Sequence, residues 1–172
     1  MMKWISILVI SLLAFQSPSL DNATVTFEIM HMGVLKVDGL FDEVNGEINR
    51  ISDQEWSIVG EVDPRSISTG NSTRDETILG EQYLNIEDYP TIPFEVRVRK
   101  EGEKHFANID FELRGIEMVL AGSLYEKDFR LVSEPIIFKR SEVGLDFGLM
   151  DSLIGDEITI VVKSGIALED LD

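Results

Sequence analysis

The chain has 172 residues, 44% of them hydrophobic and 27% charged, a globular composition and neither a disordered nor a fibrous one. It contains no cysteine, which excludes disulfide frameworks, Cys-ligated zinc, iron–sulfur clusters and thiol catalysis. Its 15 Lys and Arg are outnumbered by 32 Asp and Glu, and the resulting net charge of −17 argues against nucleic acid as a partner and against electrostatic docking on anionic lipid.

Lys3 precedes an apolar run from Trp4 to Phe15, interrupted by Ser6 and Ser11 and followed by Gln16, Ser17, Pro18 and Ser19. A positive start, a short apolar middle and a small-residue exit have the layout of a secretory signal. The run is shorter than the roughly 20 residues a bilayer crossing needs. Residues 1–20 are therefore predicted to be a signal peptide, with a cut after Ser19 or Leu20. Residues 21–172 then form one domain in the periplasm or outside the cell. No Cys follows the run, so nothing predicts a membrane anchor after cleavage.

Beyond this segment the pattern is alternation. Val25, Phe27, Ile29 and His31 fall on one face of a strand, and Thr24, Thr26, Glu28 and Met30 on the other. Leu35, Val37, Gly39 and Phe41 repeat it, then Trp56, Ile58, Gly60 and Val62. Phe94, Val96 and Val98 oppose Glu95, Arg97 and Arg99; Ala107, Ile109, Phe111 and Leu113 oppose Asn108, Asp110 and Glu112. Ile116 to Leu124 is more continuously apolar, and Ile136, Phe138, Ile158, Ile160 and Val162 complete the series. Short turns at Asp53–Gln54, Lys100–Glu103, Arg114–Gly115 and Glu126–Asp128 separate the runs, which predicts an antiparallel meander of about eight or nine strands.

One stretch breaks the rhythm. Ser72-Thr73-Arg74-Asp75 reads as a capping box with Ser72 as N-cap, Ile78 and Leu79 supply an apolar side, and Gly80 is a stop. A short helix is predicted over Thr73 to Leu79. A loop follows from Glu81 to Pro93, and a second irregular stretch runs from Val143 to Asp156. An all-β chain of this size closes as a barrel or packs as a sandwich, and periodicity alone does not choose between them.

The catalytic inventory is poor. G-x-S-x-G, H-E-x-x-H, phosphate-binding glycine loops and EF-hand patterns are absent. His31 and His105 are far apart in sequence, and acid pairs such as Asp42-Glu43 are expected by chance among 32 acids. Three basic side chains merit attention. His31 lies on the apolar face of its strand, where a core or rim histidine and a ligand-contacting one are equally expected. Arg74 stands in the first helical turn beside Asp75, for which a capping or dipole role is the simpler reading. Arg140 falls in register with Ile136 and Phe138, and an inward Arg needs a partner or an anionic ligand group.

Together these residues resemble the YceI-like family of secreted, polyisoprenoid-binding, lipocalin-like proteins. Phe27-Glu28-Ile29-Met30-His31 is similar to its F-x-I-x-H, and Gly39-Leu40-Phe41 to its G-x-F. The stretch from Val62 through Ser66-Ile67-Ser68-Thr69, Arg74-Asp75, Leu79, Tyr83-Leu84, Tyr89-Pro90 and Phe94 is similar to its long central motif. Phe138 to Gly144 and Gly155-Asp156-Glu157-Ile158 match its late motifs. The similarity spans nearly all of residues 23–166. Thr77 stands where relatives often have His, Ile109 to Gly115 is a reduced form of a hairpin motif, and Val143 replaces an aromatic.

The resemblance implies an extended antiparallel lipocalin-like barrel whose lumen holds a long isoprenoid chain. Phe27, Ile29, Phe41, Trp56, Phe94, Phe111 and Phe138 would line it, with His31, Arg74 or Arg140 orienting a quinone or prenyl phosphate head. Each buried methylene contributes about 0.8 kcal/mol, so a five-carbon prenyl unit contributes roughly 3–4 kcal/mol before association costs. The expectation is non-catalytic carriage or sequestration of a lipid, with no cofactor other than that lipid; an oligomer is left open. The rival readings are a barrel-fold enzyme with His31 as base and a structural envelope protein with a filled core.

Overall fold

The computed structural model describes residue 20 and residues 22–165; apart from Leu20, the expected signal segment lies outside the described residues. Among the described residues there are ten strands: β1 (Thr24–His31), β2 (Leu35–Phe41), β3 (Val44–Ser52), β4 (Glu55–Val62), β5 (Ile92–Glu101), β6 (Lys104–Leu113), β7 (Ile116–Lys127), β8 (Arg130–Ser133), β9 (Ile136–Lys139) and β10 (Ile154–Lys163). One helix, α1 (Ser72–Leu79), interrupts them. The strands form one sheet in the order β2-β1-β10-β8-β7-β6-β5-β4-β3, with β9 also on β10, and every pairing is antiparallel. The two edge strands, β2 and β3, are consecutive in the chain and joined by Asp42 and Glu43 alone. That short link brings the ends of the sheet together, so it curls into a lipocalin-like half-barrel.

The long connection from β4 to β5 covers the free edge of β2. Leu40 donates to the Ser68 carbonyl at 3.0 Å, and Ser68 donates back to Leu40 at 2.9 Å. This isolated bridge pairs the edge at Leu40 and interrupts it as a template for aggregation. The hairpin turns follow from backbone chemistry. Arg114 and Gly115 have φ of 53° and 77°, and Asp128 and Phe129 have 52° and 62°, the left-handed pair that suits right-twisted strands.

Side chains alternate as the sequence reading expects. Val44, Ile48, Trp56, Ile58, Val62 and Val98 turn inward with Leu20, Ala23 and Leu131 to form one core cluster. Ala107, Ile109, Leu113, Leu120, Ile136, Phe138 and Val143 form the second. Gly39 has a packing reason of its own: a Cβ there would lie 2.2 Å from the Phe27 ring, which crosses over it from the neighbouring strand. The bare glycine lets Phe27 reach across beside Phe41, the ring centroids 5.6 Å apart and the planes inclined by 39°.

Two strands escape the sequence reading. β3 reads Val-Asn-Gly-Glu-Ile-Asn-Arg-Ile-Ser, in which only Val44 and Ile48 are buried, too sparse a pattern to register as alternation. β8 has four residues, three of them consecutively buried, and no period-two signal survives in so short a piece.

The helix forms where expected, but its cap is one residue earlier. Asn71 is extended (φ −145°, ψ 104°) and its side-chain oxygen accepts from the Arg74 N–H at 3.1 Å, while Ser72 is already helical. The reason is local: Gly70, at φ 76°, turns the chain so that Asn71 enters extended. Asn71→Ala is therefore expected to lower stability by about 1 kcal/mol, and Ser72→Ala to leave the urea midpoint nearly unchanged. Equal midpoint shifts would return the capping role to Ser72.

Candidate functional site: an apolar lumen

The curled sheet encloses a cavity of about 500 Å³. Nine of the ten residues singled out from the sequence line it: Phe27, Ile29, His31, Phe41, Trp56, Arg74, Phe94, Phe111 and Phe138. They come from six different strands and the helix, so the inward faces of nearly the whole sheet contribute. β10 lines the cavity from Ile154 to Val162, and Ser164 follows just beyond it. Ten residues of strand correspond to roughly 33 Å, which makes the lumen long rather than round. Trp56, only 2% exposed, and Val98, 1% exposed, lie in the cluster at the end remote from His31.

Polar side chains on the lining are few. His31, Arg74, Thr77 and Tyr83 are joined only by Ser133 and Ser164. Arg74 and Asp75 both bind Thr69. Arg74 donates from Nε to the Thr69 hydroxyl at 2.8 Å and from Nη2 to its carbonyl at 2.7 Å, and that hydroxyl and the Thr69 N–H donate to Asp75 Oδ1 at 2.5 and 3.0 Å. Arg74 is thus positioned by hydrogen bonds to Thr69, and Asp75 ties the helix to the segment that covers β2.

Arg140 departs from the sequence reading: it does not line the cavity. β9 ends at Lys139 and the chain turns into a 3-10 turn over Arg140–Val143, so the inward register of Ile136 and Phe138 stops one residue short. The Arg140 guanidinium, 4% exposed, instead donates to the carbonyls of Leu145 at 2.7 Å, Gly155 at 3.0 Å, and Asp151 and Ile154 at 3.3 Å. Asp151 Oδ1 lies 2.6 Å from Nη1, and the Phe147 ring lies 4.8 Å from Cζ. One buried cation thereby ties residues 145, 151, 154 and 155 together, because a guanidinium presents five donors in a fixed plane, while Arg114 donates to the Gly144 carbonyl at 2.7 Å.

That organisation shapes the end of the lumen near His31. Ile154, held by Arg140, is the cross-strand partner of His31. Phe147, under the same guanidinium, packs on Tyr83 with ring centroids 5.0 Å apart and planes inclined by 45°. Phe147, Tyr83, Leu84 and Leu145 all line the cavity, so this end is closed by side chains from connecting segments and not from strands. The alternation argument could not find them; the only trace in the sequence was the Tyr83-Leu84 pair within the central motif.

Two carboxyls here, Asp151 and Asp156, titrate low. Arg140 beside Asp151, aided by the Phe147 N–H, holds that carboxyl below its ordinary value of 3.8. The Ser141 hydroxyl, with its backbone N–H, does the same for Asp156. A lowered folded-state pKa stabilises above the unfolded value and is lost as pH falls through the folded one. The cap is therefore expected to hold at pH 5 and to loosen below about 3.8. Amide exchange over residues 144–155, followed from pH 5 to pH 2.5, checks this; protection that declines already between pH 6 and 5 would count against it.

Among the described residues no three His, Asp or Glu side chains come together as a metal site. A curled antiparallel sheet around an elongated apolar lumen defines the class of lipocalin-like lumen proteins. Within that class, a model of the YceI-like domain matches residues 19–164, and the chain belongs to the YceI-like family. The fold is shared with BcnA of Burkholderia cenocepacia (TM-score 0.70, 15% identity, covering 87% of this chain and 98% of that one). It is shared with a polyisoprenoid binding domain from Saccharophagus degradans implicated in plant cell wall breakdown (TM-score 0.64, 16% identity, 87% and 97% covered). A YCEI protein of Campylobacter jejuni is also similar (TM-score 0.58, 19% identity, 78% and 86% covered). Among curated protein sequences nothing matches.

Proposed function

We propose that this protein binds a long-chain isoprenoid lipid in its lumen and carries or sequesters it without chemical change, in the periplasm or outside the cell. The observation that carries this reading is the cavity of about 500 Å³, whose lining is apolar but for six side chains. Its volume falls within the 300–1,000 Å³ of small-molecule sites. Its length suits a chain of repeated apolar units, each adding roughly 3–4 kcal/mol of burial. The polyisoprenoid binding domain of Saccharophagus degradans, similar in fold, supports the same ligand class. His31, Arg74, Thr77 and Tyr83 are the groups that would meet a quinone or prenyl phosphate head. Arg140 acts on the ligand only through the cap it holds.

Native mass spectrometry of protein purified from its own host tests the reading. One discrete added mass, assigned to a prenyl lipid by fragmentation, is the expected result. Protein with no added mass that also takes up no long prenyl quinone from dispersion would overturn it.

Export bears on the same reading. Leu20 is 6% exposed, packs in the cluster with Ala23, Val44 and Trp56, and donates to the Gly46 carbonyl at 3.1 Å. Cleavage after Ser19 keeps this side chain and cleavage after Leu20 removes it. N-terminal sequencing of exported protein is expected to begin at Leu20; an intact Met1 on protein in the cytoplasm would count against export.

A further inference from the structure

The hairpin that carries His31 to the end of the lumen is anomalous on its outer side. Along β1 the outward residues Thr24, Thr26 and Glu28 are polar, as a solvated face should be, and then the polarity reverses. Met30 is 38% exposed, Met32 56% and Val34 79%, and Leu35, opposite His31 in the inward register, is still 55% exposed at the rim. Ile29 to Leu35 contains no Asp, Glu, Lys or Arg in a chain of net charge −17. The nearest charges are one cation between two anions, with a net charge of −1: Lys36 Nζ lies 2.5 Å from Glu28 and 3.3 Å from Asp38. Backbone geometry adds a second oddity. Met32 takes φ 55° ahead of Gly33 at 68°, a turn position that favours Asn or Asp. An exposed apolar side chain thus occupies a place where a polar one would be both soluble and less strained. The hairpin ends at Phe129, between Asp128 and Arg130, and at Ile51, between Arg50 and Asp53, show no such uncharged stretch.

We propose that the 30–35 hairpin tip is a docking device that inserts Met32, Val34 and Leu35 into the interface of an electrically neutral lipid bilayer. This rests on the lipid-binding reading for its purpose, because the inserted tip would bring the His31 end of the lumen against the surface from which an apolar chain must leave. The charge pattern selects the partner. An uncharged tip on a strongly acidic body is repelled by anionic headgroups and suited to zwitterionic ones. Three apolar side chains give reversible binding, as a carrier requires.

The test separates docking from lumen binding. Wild-type protein is sedimented with phosphatidylcholine vesicles containing no prenyl lipid, and compared with Met32→Asn/Val34→Glu. Asn suits the left-handed turn, and neither residue lines the cavity, so the variant should keep its thermal midpoint and its uptake of geranylgeraniol from dilute dispersion. The bound fraction is expected to fall at least about tenfold in the variant. It should also fall when phosphatidylglycerol replaces part of the phosphatidylcholine. Wild-type protein that does not sediment with phosphatidylcholine, or a variant that sediments equally, would overturn the proposal. So would a wild-type dimer in sedimentation velocity that the variant abolishes, since a second copy would then cover the tip. Normal vesicle binding without geranylgeraniol uptake would instead sink the lumen reading and leave docking standing.

Discussion

Ile29→Trp is expected to reduce uptake of a long prenyl quinone by on the order of a hundredfold while changing folding stability by less than about 1 kcal/mol. Ile29 lines the cavity on β1, between Phe27 and His31, so an indole there projects into the lumen and not into packed core. The ring would displace about one prenyl unit, roughly 3–4 kcal/mol of burial, and each 1.4 kcal/mol is tenfold in affinity. A filled interior predicts the reverse pattern. Overpacking would lower stability by about 1–3 kcal/mol, and uptake, if there were any, would occur elsewhere. Fluorescence titration with the quinone and urea unfolding, run on the same preparation, distinguish the two. A strongly destabilised Ile29→Trp protein, beside a wild type that takes up no prenyl lipid, would remove the carrier reading.

Arg140→Met is expected to destabilise the protein by about 3 kcal/mol or more, one of the largest single effects available in this chain. The methionine matches the stem of the side chain but strips donors from four carbonyls and a cation from Asp151. The loss should be local first. Amide protection should collapse over residues 144–155 before the sheet, because this group ties that segment at four carbonyls. Ligand release should quicken as Phe147 loses its seat on Tyr83. Arg140→Lys should recover little, since an ammonium cannot reproduce the planar fork. If Arg140→Met kept its stability and lost only affinity for an anionic head, the guanidinium would belong to the ligand and not to the cap.

These two residues also mark the line between what was legible in the sequence and what was not. Ile29 was placed correctly because a strand repeats every two residues, so Val25, Phe27, Ile29 and His31 had to share a face whatever the fold. Their neighbours Thr24, Thr26 and Glu28 identified the other face as the wet one. The same rule placed Phe41, Trp56, Phe94, Phe111 and Phe138 correctly. It failed at Arg140, where the strand had already ended, because an alternation argument carries no information about where a strand stops.

The sequence by itself determined the all-β class, the inward faces, the turn positions and the short helix. All of these follow from period, polarity and the φ preferences of single residues, which act within a few positions along the chain. Only the tertiary structure decided that β2 and β3 form the two edges, that the β4–β5 connection covers one of them, and that a cavity of about 500 Å³ remains inside. It alone decided that Arg74 leans on Thr69 and that Arg140 gathers carbonyls from residues 5 to 15 positions away. The physical reason is the same in each case. A hydrogen bond or a void between distant segments depends on where the curled sheet brings those segments, and no local preference encodes that distance.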